Sequence, residues 1–303
     1  KTAERLVDAI MSGYINPFDG EIHSQEGMIK GPKAPRFSSR EIISMDWLND
    51  NVIGSIPSLE ELTDEARELH RYRDGERGYA MKIMAIADEE KRAFWDYFDK
   101  SRFADVDLII SCGDLKASYL DFLVSMTNKP LLYVHGNHDQ DYRRKSPQGC
   151  TCIEDRVYDF HGLRILGLGG SVRYNQGIFQ YTEEEMSRRI RRVNNAIALR
   201  GGIDMLVTHA PAKGYGDMED LPHWGFACFN DLIRRWKPKY MLHGHVHLSY
   251  GGDRFHVHEV GTRIINAYEC YELEVGDEDH PPEGKTGSAL YDLYVSMSRK
   301  RNK

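Results

Sequence analysis

The sequence predicts an α/β fold in which β-sheets are flanked by helices. Two observations carry this. Five short apolar runs, at residues 82–87, 107–112, 131–135, 205–208 and 240–243, each end in a cluster drawn from Asp, Asn, Gly and His. Longer segments with helical spacing of apolar residues lie between them, and buried strands alternating with helices indicate a layered α/β architecture. Near the C-terminus, residues 255–258, 262–267 and 271–275 read as antiparallel strands of a candidate second sheet.

Taken in order, residues 1–80 differ in texture from the rest. Residues 1–11 suit a short helix. Residues 13–40 carry Gly13, Pro17, Gly20, Gly27, Gly31, Pro32 and Pro35 among polar residues, the composition of loop or linker. Ser58 followed by Glu61 is a capping-box pattern that predicts a helix over 59–72, and 71–78 is a charged connector. We therefore divide the chain into an N-terminal extension (1–80, partly helical), a main domain (81–275) and a tail of helical character (276–303). Within the main domain, helices are expected at 92–98, 119–126, 183–199 and 226–236. The third opens with the capping pair Thr182 and Glu185.

Composition narrows the function classes. The 303 residues carry 47 acidic and 40 basic side chains, a formal net charge of −7, which disfavours a protein that grips nucleic acid over a wide surface. A hydrophobic fraction of 41% supports a sizeable core. No apolar run approaches the ~18 residues of a membrane span, and the N-terminus lacks a basic-then-apolar secretory pattern. Five cysteines, Cys112, Cys150, Cys152, Cys228 and Cys270, are an odd number without a CxxC pair. That argues against a disulfide framework and a cysteine-built zinc site, and it favours a reducing, cytoplasmic setting.

The chemistry lies at the strand ends. Loops at the carboxyl ends of strands in open α/β sheets converge on one crevice, so five distant polar clusters can meet in space. Convergent carboxylates and imidazoles suit divalent Mn, Fe or Zn. Asp88, Gly113-Asp114, Gly136-Asn137-His138-Asp139, Thr208-His209-Ala210-Pro211 and Gly244-His245-Val246-His247 resemble, in order and spacing, the motifs of the calcineurin-like metallophosphoesterases. The resemblance covers roughly residues 81–250. It implies a four-layer sandwich with two central sheets, and a phosphoester hydrolase with two divalent metals (Mn foremost, otherwise Fe, Zn or Mg).

The same resemblance implies that Asp114 bridges both metals, that Asn137, His209 and His245 complete one, and that Asp88 and His247 bind the other. A hydroxide between the metals would attack phosphorus. His138 would contact the phosphate or protonate the leaving oxygen, with Asp139 orienting its ring. The first motif departs from the family's Asp-x-His, reading Asp88-Glu89-Glu90. Either Glu90 supplies a carboxylate ligand in place of an imidazole, or that metal site is short of a ligand. Asp114 is not followed by the GDxxDRG pattern of the Ser/Thr protein phosphatases, so the small phosphodiesterase branch is the nearer likeness. The implied partner is a small phosphorylated or nucleotide substrate. A phosphomonoesterase, a nuclease and a low-turnover metal or nucleotide binder are the competing readings.

Several other features have ordinary explanations. His135 and His243 sit inside apolar runs as core residues, and His256 and His258 belong to the polar face of a strand. Gly167, Gly169, Gly170 and Ser171 suggest tight turn packing, with Arg173 and Tyr174 bordering the pocket. Arg188, Arg189, Arg191 and Arg192 read as a solvated helix face. Lys116, Arg143, Arg144 and Lys145 are candidate phosphate clamps near the motifs.

Overall fold

The computed structural model describes residues 80–281, together with two short strands near the N-terminus. The chain divides into two compact units, Lys1–Arg77 and Gly78–Lys303. In the first, β1 (Ile22–Ser24) pairs antiparallel with β2 (Gly27–Lys30), where the composition predicted only loop. A ribbon of three or four residues a side is too short to alter a Gly- and Pro-rich composition. The helices expected at 1–11 and 59–72, and the tail beyond 281, lie outside the described residues.

The second unit runs β3 (Met81–Ile86), α1 (Arg92–Trp95), β4 (Leu108–Ser111), α2 (Ala117–Thr127), β5 (Leu131–Tyr133), β6 (Thr151–Cys152), β7 (Arg156–Phe160) and β8 (Leu163–Leu168). It continues through β9 (Ser171–Val172), β10 (Gln180–Tyr181), α3 (Glu183–Leu199), β11 (Met205–Thr208), α4 (Ala227–Trp236), β12 (Tyr240–His243), β13 (Phe255–Val257), β14 (Arg263–Asn266) and β15 (Tyr271–Val275). One sheet has the order β13-β14-β12-β11-β8-β7, the other β15-β3-β4-β5-β6.

Strand periodicity builds the layers. In β3, Ile83 and Ala85 face the other sheet and pack with Ile165, Val207 and Leu242, while Met84 and Ile86 face outward onto Phe94, Tyr119 and Leu123 of α1 and α2. On the six-stranded sheet, Leu206 and Met241 turn outward onto Ile190, Ile197 and Phe229 of α3 and α4. The result is helix, sheet, sheet, helix. The cap of α3 forms as the sequence predicts: Thr182 Oγ1 accepts from Glu185 N at 3.2 Å and the Glu185 carboxylate accepts from Thr182 N at 2.8 Å.

Four expectations change. The C-terminal strands do not form a sheet of their own: β13 pairs with β14 on the first sheet, and β15 pairs antiparallel with β3 on the second. Gly167, read with Gly169, Gly170 and Ser171 as tight turn packing, lies instead within the fully buried strand β8 (Leu163–Leu168). A Cβ on Gly167 would sit 2.4 Å from the Ile153 carbonyl oxygen, so the glycine serves close packing inside the strand. Arg189 lies only 6% exposed rather than on a solvated face. His258, assigned to a polar strand face, is likewise buried and lies against Tyr215.

Candidate metal centre

The strand ends bring the motif residues together through a backbone held in unfavourable geometry. Asp88, Asp114 and His245 all have positive φ, at 65°, 58° and 70°. For a residue with a Cβ this costs about 1 kcal/mol or more, and three such residues lie at one site. Their neighbours explain how the loops fit. A Cβ on Gly113 would lie 2.4 Å from Gly136 N, and one on Gly136 would lie 2.0 Å from Asp114 Oδ1. The β4 and β5 tips touch backbone to backbone, and any larger residue would force them apart.

Hydrogen bonds lock these tips. Asp139 Oδ2 accepts from Gly136 N at 2.7 Å and Asp114 N at 3.0 Å. His138 N donates to Asp114 Oδ1 at 2.7 Å, and His245 N donates to both Asp88 oxygens at 2.9 and 3.0 Å. Asp139, expected to orient the His138 ring, ties the two loops through their amides with this oxygen. Burial, then the Asp114 charge, pushes its carboxyl up to about 6.

The centre is a convergence of lone pairs. His209 is fully buried, and its Nδ1 lies 2.8 Å from the Cys112 carbonyl, which places the proton there and leaves a lone pair on Nε2. That Nε2 sits 2.9 Å from Asn137 Oδ1 and 3.2 Å from Asp114 Oδ2. His245 donates Nε2–H to the Pro222 carbonyl at 2.6 Å, so its Nδ1 is the free acceptor. Asp114, His209 and His245 offer ligand atoms within 4.8 Å of one another. Acceptors this close need a proton or a cation among them.

Without a cation, protonation does that work. Burial opposes charge on both partners, yet the His209 cation holds Asp114 down to about 2 and that carboxylate lifts His209 to about 9. Burial drives Asp88 the other way, up to about 7, despite the opposing His209 cation. Burial and the same cation press His245 down to about 3. The mixed oxygen and nitrogen donors are those that hold divalent Mn, Fe or Zn.

These residues open on a cleft of 350 Å³ lined by Asp88, Asp114, Asn137, His138, Tyr174, Pro222, His223, His245, His247 and Tyr250. The family description "calcineurin-like phosphoesterase" matches residues 69–249, more than half of the chain. The chain belongs to the calcineurin-like phosphoesterase family. Two UPF0046 proteins of Caenorhabditis elegans are similar to it: one is 32% identical over 58% of this chain and 72% of its own length, the other 30% identical over 40% of this chain. The match spans only 28% of that second relative. A solved crystal structure superposes with a TM-score of 0.50 at 16% identity, over 65% of this chain and 95% of its own, a likeness of fold.

Divalent metals are typical of this family, and the Asp114, His209 and His245 donors suit them; the predicted residues divide into two groups. Asp114, Asn137, His209 and His245 form the buried one. Asp88 and His247 line the same cleft, and the His247 ring stacks on Tyr250 (centroids 5.0 Å, 7° apart) and leans on Tyr268 at 4.8 Å. Glu90 does not line the cleft. Its carboxylate pairs with Lys116 Nζ at 3.3 Å, and Glu89 accepts a hydrogen bond from the Tyr268 hydroxyl. In this arrangement the Glu90 carboxylate faces an ammonium rather than the cleft, and both alternatives left by the first motif stay open.

Sequence reasoning had no signal for Pro222 and His223, which belong to a 3₁₀ turn, Leu221–His223, in an otherwise unremarked polar loop. Nor did it mark Glu154 and Arg189 as a brace. Glu154 accepts from His135 N at 3.2 Å, from Gly169 N at 3.0 Å and from Arg189, whose Nη1 donates to the Gly169 carbonyl at 2.8 Å. That ties the β5 tip, two residues before Asn137, to the end of β8.

Proposed function

We propose that this chain hydrolyses phosphoric esters, foremost a phosphodiester of a small molecule or nucleotide, with two divalent cations, manganese first. The observation that carries the reading is the convergence of Asp114 Oδ2, Asn137 Oδ1 and His209 Nε2 in a buried corner that opens on a cleft. Asp114, Asn137, His209 and His245 would hold one cation, and Asp88, Asp114 and His247 the other. Bound cations supply Lewis acidity, lowering the pKa of a water and offsetting charge on phosphoryl oxygens.

The chain's own groups do the rest. His138 is exposed at the cleft and anchored through its backbone N–H, so its ring is free to give a proton to the leaving oxygen. Asp114 and His138 also border a neighbouring cavity of 420 Å³ that includes Lys116 and Lys145, where an anionic arm of the substrate would find counter-charge. Cavities of this size favour small molecules over polymers, as does the net charge of −7. Free thiols in all five cysteines fit a reducing compartment such as the cytoplasm.

The test is hydrolysis of bis-p-nitrophenyl phosphate with Mn²⁺. Asp114→Ala is expected to fall to background, and a fully active Asp114→Ala protein overturns the reading. Faster turnover of the mono-ester than of the bis-ester by the unaltered protein would favour a phosphomonoesterase. A specific observation favours one further reading, a metal binder with little turnover: the Glu90–Lys116 pair leaves the Asp88 corner with fewer donors. Metal analysis separates the two, because retention of a single cation supports the binder.

A further inference from the structure

Tyr174 lies in none of the metal-site motifs, yet it touches the centre. Asn137 Nδ2 donates to the Tyr174 hydroxyl oxygen at 3.1 Å. The Asn137 amide turns its Oδ1 toward the buried corner, 2.9 Å from His209 Nε2, and its Nδ2 toward Tyr174. An amide NH₂ can only donate. The phenol oxygen therefore acts as acceptor toward Asn137, and its own proton must be directed elsewhere. Among the described residues that proton has no acceptor, and Tyr174 is part of the cleft wall.

The loop that presents the phenol is built for the purpose. Gln180, 2% exposed, accepts from Tyr174 N at 3.1 Å and from Asn175 N at 3.0 Å through one oxygen. Arg173 donates to the Gln180 carbonyl at 3.1 Å and to Glu185 at 2.8 Å, which ties the loop to the capping box of α3. β9 and β10 close its base, Ser171 opposite Gln180. A donor fixed in this way needs little reorganisation when charge appears in front of it.

Resting on the hydrolase reading above, we propose that Tyr174 is a further catalytic residue: its O–H donates a hydrogen bond to a phosphoryl oxygen held in the cleft. Charge on that oxygen grows as the nucleophile adds to phosphorus, so the bond strengthens toward the transition state and acts on kcat more than on KM. No proton is transferred, and the hydroxyl is unchanged at the end of the cycle.

The test is Tyr174→Phe, which keeps the ring and removes only the O–H. Three quantities are measured on the Mn²⁺-loaded proteins: kcat and KM for bis-p-nitrophenyl phosphate, metal content per chain, and the thermal midpoint. A kcat about a hundredfold lower, with KM, metal content and midpoint close to those of the unaltered protein, supports the assignment. A kcat within twofold of the unaltered protein overturns it. So does a loss of kcat matched by a loss of metal, which would make Tyr174 a brace for Asn137 only. If the unaltered protein turns over neither ester, the hydrolase reading itself fails, and that outcome is seen before any variant is compared.

Discussion

The two corners of the metal centre are built differently. At the Asp114–Asn137–His209–His245 corner the imidazoles are buried, each ring nitrogen that is not a candidate ligand has a backbone carbonyl partner, and glycines let the β4 and β5 tips meet. At the Asp88–His247 corner the imidazole is half-buried and held by stacking on Tyr250, itself 54% exposed, and the carboxylate two residues after Asp88 is paired with Lys116. Second-layer hydrogen bonds fix the direction of a lone pair, and stacking fixes only the plane of a ring. The first corner is therefore preorganised for a cation, and under the two-cation proposal the second would depend on its cation to finish it.

The sharpest way to break this contrast is His209→Ala. It should abolish hydrolysis and strip the metal from the buried corner, as measured by metal analysis after dialysis. Retention of the full metal content would show that the buried corner is not the stronger site. Next in size is Glu154→Gln, aimed at the brace behind that corner. Losing one side of a buried ion pair costs about 3 kcal/mol or more, read as a lower thermal midpoint at pH 7. Burial opposes the Glu154 charge, but the hydrogen bond from His135 and the Arg189 guanidinium more than offset this and hold its carboxyl below the usual range. A depressed carboxyl adds stability above its unfolded value, about 4.3, and loses it as the pH falls through the folded value. Melts of the two proteins should thus differ most near neutrality, begin to approach one another only below about pH 4.3, and converge at a lower pH, once the folded carboxyl is protonated.

His247→Ala should act on the open corner alone. One metal equivalent stays, the other is lost on dialysis, and activity falls less than in His209→Ala. Equal metal loss in the two variants would erase the contrast between corners. Glu90→Gln should have the smallest effect. The Lys116 side chain is 77% exposed, and a surface pair of this kind is worth about 1 kcal/mol or less. Unchanged metal content in this variant keeps Glu90 outside the centre, and a lost equivalent would return it to the ligand set.

Much of the fold was legible from local pattern. The runs at 205–208 and 240–243 are strands with the same bounds, and Thr182 with Glu185 marks the start of α3. Apolar periodicity and capping chemistry act within a few residues, so the sequence displays them directly. β8 was hidden by Gly167, a residue that usually weakens a strand and here is required by the Ile153 carbonyl. The partners of β13 and β15 were equally invisible, since pairing depends on which sheet edge lies nearby rather than on the strand's own residues.

By itself the sequence determined the family, the order of the layers and the list of residues at the strand tips, because motif spacing and alternation are properties of the chain. Only the tertiary structure decided which of those residues share a centre. The separations involved run to 72 residues between Asn137 and His209 and 157 between Asp88 and His245. Contacts at that range are set by sheet order and loop packing. That is why Asp139 turned to backbone amides, Glu90 turned to Lys116, Arg189 turned inward to Glu154, and Tyr174 came to rest against Asn137.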